Sequence, residues 1–348
     1  MPYKILPKDA YDPFVKAMAS ARRVVAPVNK EDKYVFGDIG GPEDIAKGYI
    51  PTLLPPKKYL FPPKEDLLHF AVGGMPSAES VIEAEPLIMF GVRPCDINGI
   101  RQLDKVFMDD IVDPNYAARR AQVVIIGIDC EQHCDEHCFC ESVGSLAVTG
   151  GYDLFLTDMD DYWMVSVGTQ QGGDLLFRYA SVQEADSDSV TRYLHHQRDK
   201  IYKFPARFQG SIALIPMLLG GSYENDVWEK NGKKCLSCGA CNITCPTCNC
   251  FDVLDVMNLQ MTSGTRTRRW DGCMLEEFAV VAGGENFRNE RSSRVRHRVY
   301  RKFKYQPQRY REPFCVGCGR CARACPVDIN IPEIVNDLFK ETEQEAAV

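Results

Sequence analysis

The sequence predicts an α+β fold: an α/β domain over residues 1–225, a cysteine-rich module over 226–335, and a tail over 336–348. Three observations predict it. Strand and helix patterns alternate through the first 225 residues, eleven of the sixteen cysteines lie beyond them, and one cysteine run recurs eighty residues later. The 348 residues are 45% hydrophobic and 26% charged, which suits two domains with cores and excludes disordered, collagen-like and coiled-coil chains.

The elements follow in order. Residues 9–23 (DAYDPFVKAMASARR) have the apolar period of an amphipathic helix, and KYVFGDI (33–39) has that of a strand. The proline-rich stretch Pro51–Pro63 reads as a surface connection. Strand Pro86–Val92, helix Asp96–Phe107 and strand Ala121–Ile128 form a β-α-β unit, which predicts adjacent parallel strands. Cys95 and Cys130 then fall just past the two strands, at the ligand-binding edge of an α/β sheet. YDLFLTD and YWMVSVG alternate as an antiparallel pair across Met159–Asp161, and Asp186–Tyr202 reads as a helix. The last residues, LFKETEQEAAV, form a charged helical end expected to fray.

Composition narrows the function. The apolar runs Ala121–Ile128 and Ile212–Gly220 are too short for a membrane span, and the first residues carry no export pattern. The chain therefore reads as cytoplasmic, where thiols stay reduced and closely spaced cysteines bind metal. Net charge is −7, yet residues 288–311 hold ten Arg or Lys against the single acid Glu290. A nucleic-acid stripe is one reading of that segment. Compensation of anionic metal–thiolate groups, or docking of an acidic redox partner, is the stronger one.

Cys235, Cys238, Cys241 and Cys245-Pro246 recur as Cys315, Cys318, Cys321 and Cys325-Pro326. This C-x2-C-x2-C-x3-C-P spacing is the run of a ferredoxin-like domain with two [4Fe–4S] clusters. A tight loop brings three thiolates to one cubane, and the fourth is carried on to the other cluster. One cluster is thus assigned Cys235, Cys238, Cys241 and Cys325, the other Cys315, Cys318, Cys321 and Cys245, with residues 246–314 as an insertion. A zinc ribbon needs four thiolates, and two complete eight-ligand runs exceed that.

Eight cysteines remain. The acidic loop DCEQHCDEHCFCESVG places Cys130, Cys134, Cys138 and Cys140 within eleven residues, and Cys95 makes a fifth candidate for four corners of a third cluster. Cys138 and Cys140 read as a pair and Cys130 is favoured by its strand end; Cys95 and Cys134 compete for the last corner. His133 and His137 flank these thiols and read as solvated loop residues. Cys248, Cys250 and Cys273 cannot close a four-thiolate site alone. They read either as ligands of a fourth cluster completed by another group, as redox thiols, or as buried free thiols. Apparent sirohaem-type spacing reuses cysteines of the ferredoxin run, and no G-x-G-x-x-G follows a strand, so no nicotinamide or flavin site is expected on this chain.

The chain resembles the iron–sulfur subunits shared by cytoplasmic [NiFe] sulfhydrogenases (the β subunit) and anaerobic sulfite reductase (the A subunit). The resemblance is carried by CLSCGAC…CPTCNCFDV (235–253), RRWDGCM (268–274), VAGGENFR (281–288), RHRVYRKF (296–303) and CVGCGRC (315–321). PPKKYLFP (55–62), GVRPCD (91–96) and CFCES (138–142) carry it into the first domain. It implies a relay subunit, not a stand-alone catalyst, between a flavin/NAD(P)-binding partner and a catalytic hydrogenase or reductase partner, with no nucleic acid involved. It also implies Cys95, Cys130, Cys138 and Cys140 as the third set. The departure EQHCDEH (131–137) leaves room for Cys134 as a replacement ligand, or for membership of the flavin oxidoreductases that feed heterodisulfide reductase. Two rivals of other classes are a self-contained thiol or sulfur reductase with an open iron corner and a nucleic-acid-binding iron–sulfur regulator.

Overall fold

The computed structural model describes the backbone of residues 3–346 and the side chains through Thr342. Its twelve described strands are β1 (Tyr3–Pro7), β2 (Val24–Lys30), β3 (Lys33–Asp38), β4 (Lys64–Ala71), β5 (Ser77–Ser80) and β6 (Leu87–Val92). They continue as β7 (Val123–Ile128), β8 (Leu154–Asp158), β9 (Tyr162–Val167), β10 (Gln183–Glu184), β11 (Phe251–Met257) and β12 (Ser263–Trp270). Eight of them form one sheet in the order β10-β1-β9-β8-β7-β6-β2-β3.

The middle of this sheet is parallel: β2 pairs β6, β6 pairs β7 and β7 pairs β8 in that sense. Ile88, Met89, Phe90, Val124, Ile125 and Ile126 are fully buried, as strands covered on both faces must be. Helix Pro94–Met108 makes the expected crossover, and β8 and β9 are the expected antiparallel pair. A separate helix, Pro114–Gln122, precedes β7; Asp113 caps it, accepting from the Tyr116 N–H at 2.9 Å. The sequence reading passed over this helix as well as β1 and β2.

One expectation is corrected. The Pro51–Pro63 stretch is interior: Thr52, Lys57, Leu60 and Phe61 are all at most 2% exposed. Prolines lack the N–H that makes irregular backbone costly to bury, and remaining polar groups find partners. Helix Ile331–Ala346 runs into the expected tail, and its first half buries Ile331, Ile334, Val335 and Leu338 along one stripe. Residues 347 and 348 of the expected tail lie outside the described residues.

A second sheet has the order β11-β12-β4-β5. The β11–β12 hairpin lies between the two cysteine runs, and its inner strand pairs with β4 from residues 64–71. The pairing is secured by Glu65, which accepts from Arg119 at 2.6 Å and Arg268 at 2.7 Å in a buried group. The cysteine-rich module has its own core, where Trp228, Val299, Tyr300, Phe303 and Val335 pack together.

Candidate metal centres

Each ferredoxin-type run folds as a loop that turns through a left-handed glycine into a one-turn helix. Gly239 has φ 72° before Ala240–Ile243, and Gly319 has φ 74° before Arg320–Arg323. Only glycine takes this conformation without a Cβ penalty, which is why both runs carry it at the same offset. Cys235, Cys238 and Cys241 line one pocket together with Cys325 from the other run. Cys245 lies close enough to Cys315 and Cys318 to raise the cost of ionising either. Cys325 thus lies with the loop of the first run and Cys245 near that of the second, and Cys321 lines the first pocket as well.

These thiols fit a metal cluster chemically. Burial pushes Cys241 and Cys315 up to about 12 and Cys318 up to about 11, so they would stay protonated without added positive charge. A coordinated metal deprotonates such thiols outright.

The basic segment supplies the compensating charge. Arg294, Arg298 and Lys302 recur every four residues along helix Arg291–Tyr300 and the π-helical turn Arg301–Tyr305 that continues it, and all three are buried. Arg298 donates to the Cys241 carbonyl at 2.9 Å and to the Cys248 sulfur at 3.8 Å. Lys302 donates to the Thr247 hydroxyl at 2.7 Å and the Phe314 carbonyl at 3.0 Å. Its pKa is raised despite burial because Cys245 and Cys248 face it. The part of the segment that carries most of its buried charge is thus turned inward to sulfur, away from any external nucleic acid.

The N-terminal domain brings all five of its cysteines together. The Cys134 thiol neighbours those of Cys130 and Cys138, and the Cys138 thiol neighbours that of Cys140. Cys95, on the first turn of helix Pro94–Met108, approaches Cys130 and packs against Cys318 and Val316. Asp129 anchors the loop: it accepts from the Cys130 N–H at 2.8 Å, Lys200 at 2.6 Å and Gln197 at 2.6 Å. Arg93 stacks 4.2 Å from the Tyr49 ring and faces Cys130, Cys134 and Cys95. His133 is exposed and His137 half-buried.

This loop interlocks with the second ferredoxin-type run. The Phe139 N–H donates to the Gly317 carbonyl at 2.7 Å, and Arg323 reaches Asp135 at 2.6 Å. Arg320 forms a bidentate, fully buried pair with Asp96, at 2.6 and 2.8 Å, and donates to the Thr52 carbonyl at 2.7 Å. Cys95 and Cys318, adjacent to these two residues, are thereby fixed in contact.

Cys248, Cys250 and Cys273 line a small third pocket with Arg298, Lys302 and Gln306. Several residues that matter here carried no motif. Lys57 donates to the Cys248 carbonyl at 2.7 Å and stacks 4.3 Å from Trp270. Asn242 stands where the second copy of the run has Ala322, and that break in the repeat is the one signal that could have marked it.

With two crossed thiol sets on a repeated loop, the chain is a mixed α/β iron–sulfur protein. A 4Fe–4S dicluster domain model matches residues 234–329. Over 345 residues the sequence is 32% identical to sulfhydrogenase 2 subunit beta of Pyrococcus furiosus, covering 97% of this chain and 98% of that protein, and the chain belongs to this family. No solved structure matches it. Among the described residues no helix is long and apolar enough to cross a membrane.

Proposed function

We propose that this chain is the iron–sulfur subunit of a hydrogenase-type complex, relaying single electrons between a flavin/NAD(P)-binding partner and a catalytic partner. It would hold three [4Fe–4S] clusters. The ligands are Cys235, Cys238, Cys241 and Cys325; Cys315, Cys318, Cys321 and Cys245; and Cys95, Cys130, Cys138 and Cys140, with Cys134 as a replacement. A bound [4Fe–4S] cluster supplies a one-electron carrier whose potential its surroundings set. The chain's own residues hold these carriers in series and exclude water from most of their thiols.

The observation that carries this reading is the contact between Cys95 and Cys318, which joins the N-terminal thiols to the ferredoxin-type module. Cys321 in turn lies near Cys241, joining the second set to the first. The series ends at the surface: Cys238 is exposed at one end, and Glu131–His133 at the other. Membership of a hydrogenase β-subunit family supports the choice of partners.

The test uses the assembled complex with Cys95→Ser and Cys130→Ser combined. The variant is expected to lose about four iron atoms per chain. Electron transfer between the two partners should be abolished, while each partner keeps its activity with artificial dyes. Undiminished transfer through the variant complex would rule the relay out.

A further inference from the structure

We propose that Cys248, Cys250 and Cys273 are the three thiolate ligands of an additional iron–sulfur cluster, with its remaining iron corner completed by a non-cysteine ligand. The proposal rests on the electron-relay reading above and adds a branch to it.

The three thiols come from the segment after Cys245-Pro246 and from the loop after β12, and they line one pocket. Two of them are aimed by a single buried side chain. The Asn242 amide donates to the Cys273 sulfur at 3.5 Å and to the Cys248 sulfur at 3.7 Å. Its orientation is fixed, since the Met274 N–H donates to its carbonyl oxygen at 3.1 Å. Gly272 makes room for it: a Cβ there would stand 2.6 Å from the Asn242 amide. N–H donors to sulfur strengthen as the sulfur becomes anionic, so this arrangement favours thiolates over thiols or a disulfide.

Charge points the same way. Lys57, Arg298 and Lys302 are buried around these sulfurs, and among the described residues none has a carboxylate partner. Buried cations need counter-charge, and sulfur is what they face. Lys57 faces Cys248 and Cys250 as well as Cys245 and donates to the Cys248 carbonyl at 2.7 Å. Three thiolates with three cations suit an anionic cluster. The Cys248 thiol also neighbours that of Cys245, so the site adjoins the second ferredoxin-type set.

The experiment compares anaerobically purified wild type with Cys248→Ser, Cys250→Ser and Cys273→Ser combined, measuring iron and acid-labile sulfide. The proposal predicts about sixteen iron atoms in wild type and a loss of about four in the variant. Mild oxidation of wild type should release the exposed iron and give a [3Fe–4S] electron paramagnetic resonance signal that the variant lacks. Asn242→Leu, which retains every thiol, should shift that cluster's midpoint to lower potential. Equal iron in wild type and triple variant overturns the proposal. So does full alkylation of the three cysteines in wild type with no iron lost. Failure of the three-cluster reading shows separately, as unchanged iron when Cys95 and Cys130 are replaced.

Discussion

Arg298 and Lys302 are buried cations beside the cysteine loops. Each is buried, each donates to backbone or hydroxyl groups of the cysteine loops, and each faces sulfur. A cation so placed stabilises the more negative, reduced state of a neighbouring cluster and raises its potential. Arg298→Gln is therefore expected to lower the midpoint of at least one cluster in a potentiometric titration followed by electron paramagnetic resonance; an unchanged set of midpoints would contradict the assignment. On the same helix, burial, with Arg288 and Arg301 adding to it, lowers His297 from 6.5 to about 4. The unfolded chain then binds the proton more readily than the native one, so this histidine's share of stability is full above about pH 6.5 and is lost as pH falls toward 4. Denaturation measured across that range should show a smaller acid-side loss for His297→Gln than for wild type.

At the scale of elements, the two cysteine loops share a backbone but not an environment. A Cβ on Gly239 would meet the Leu275 side chain at 2.8 Å, whereas one on Gly319 would meet the His137 backbone at 2.7 Å. Side chains yield and backbone does not. Gly319→Ala is expected to cost iron from both the second ferredoxin-type set and the N-terminal set, and Gly239→Ala to cost less; equal losses would argue against the interlock. The loops themselves were legible in the sequence because their ligands are local and their spacing is chemical. The β-α-β unit was legible for a similar reason, in the continuous apolar runs of β6 and β7. What places Cys95 against Cys318 was not legible, since Asp96 and Arg320 are 224 residues apart and each alone is an ordinary charged residue. The Pro51–Pro63 stretch misled because prolines signal turns, while its burial depends on β12, a partner some two hundred residues on.

At the scale of the molecule, the insertion between the cysteine runs binds the two halves into one body. Its hairpin completes a sheet begun by β4, and inside that joint Glu65 pairs with Arg119 and Arg268 while Asp113 also pairs with Arg268. Glu65→Ala leaves buried Arg119 without its counterion and Arg268 with Asp113 alone, and is expected to destabilise the fold by roughly 3–5 kcal/mol, read from chemical denaturation. A loss under about 1 kcal/mol would mean the joint is solvated. The proposed relay would rely on that joint together with the Arg320–Asp96 pair that sets Cys95 against Cys318. The most direct test is the electron paramagnetic resonance spectrum of the fully reduced protein, compared with that of Cys95→Ser combined with Cys130→Ser. The account predicts a spectrum broadened by magnetic coupling in wild type, simplifying in the variant to that of the ferredoxin-type clusters. Wild-type signals that are sharp, and that the variant reproduces unchanged, would contradict a continuous relay.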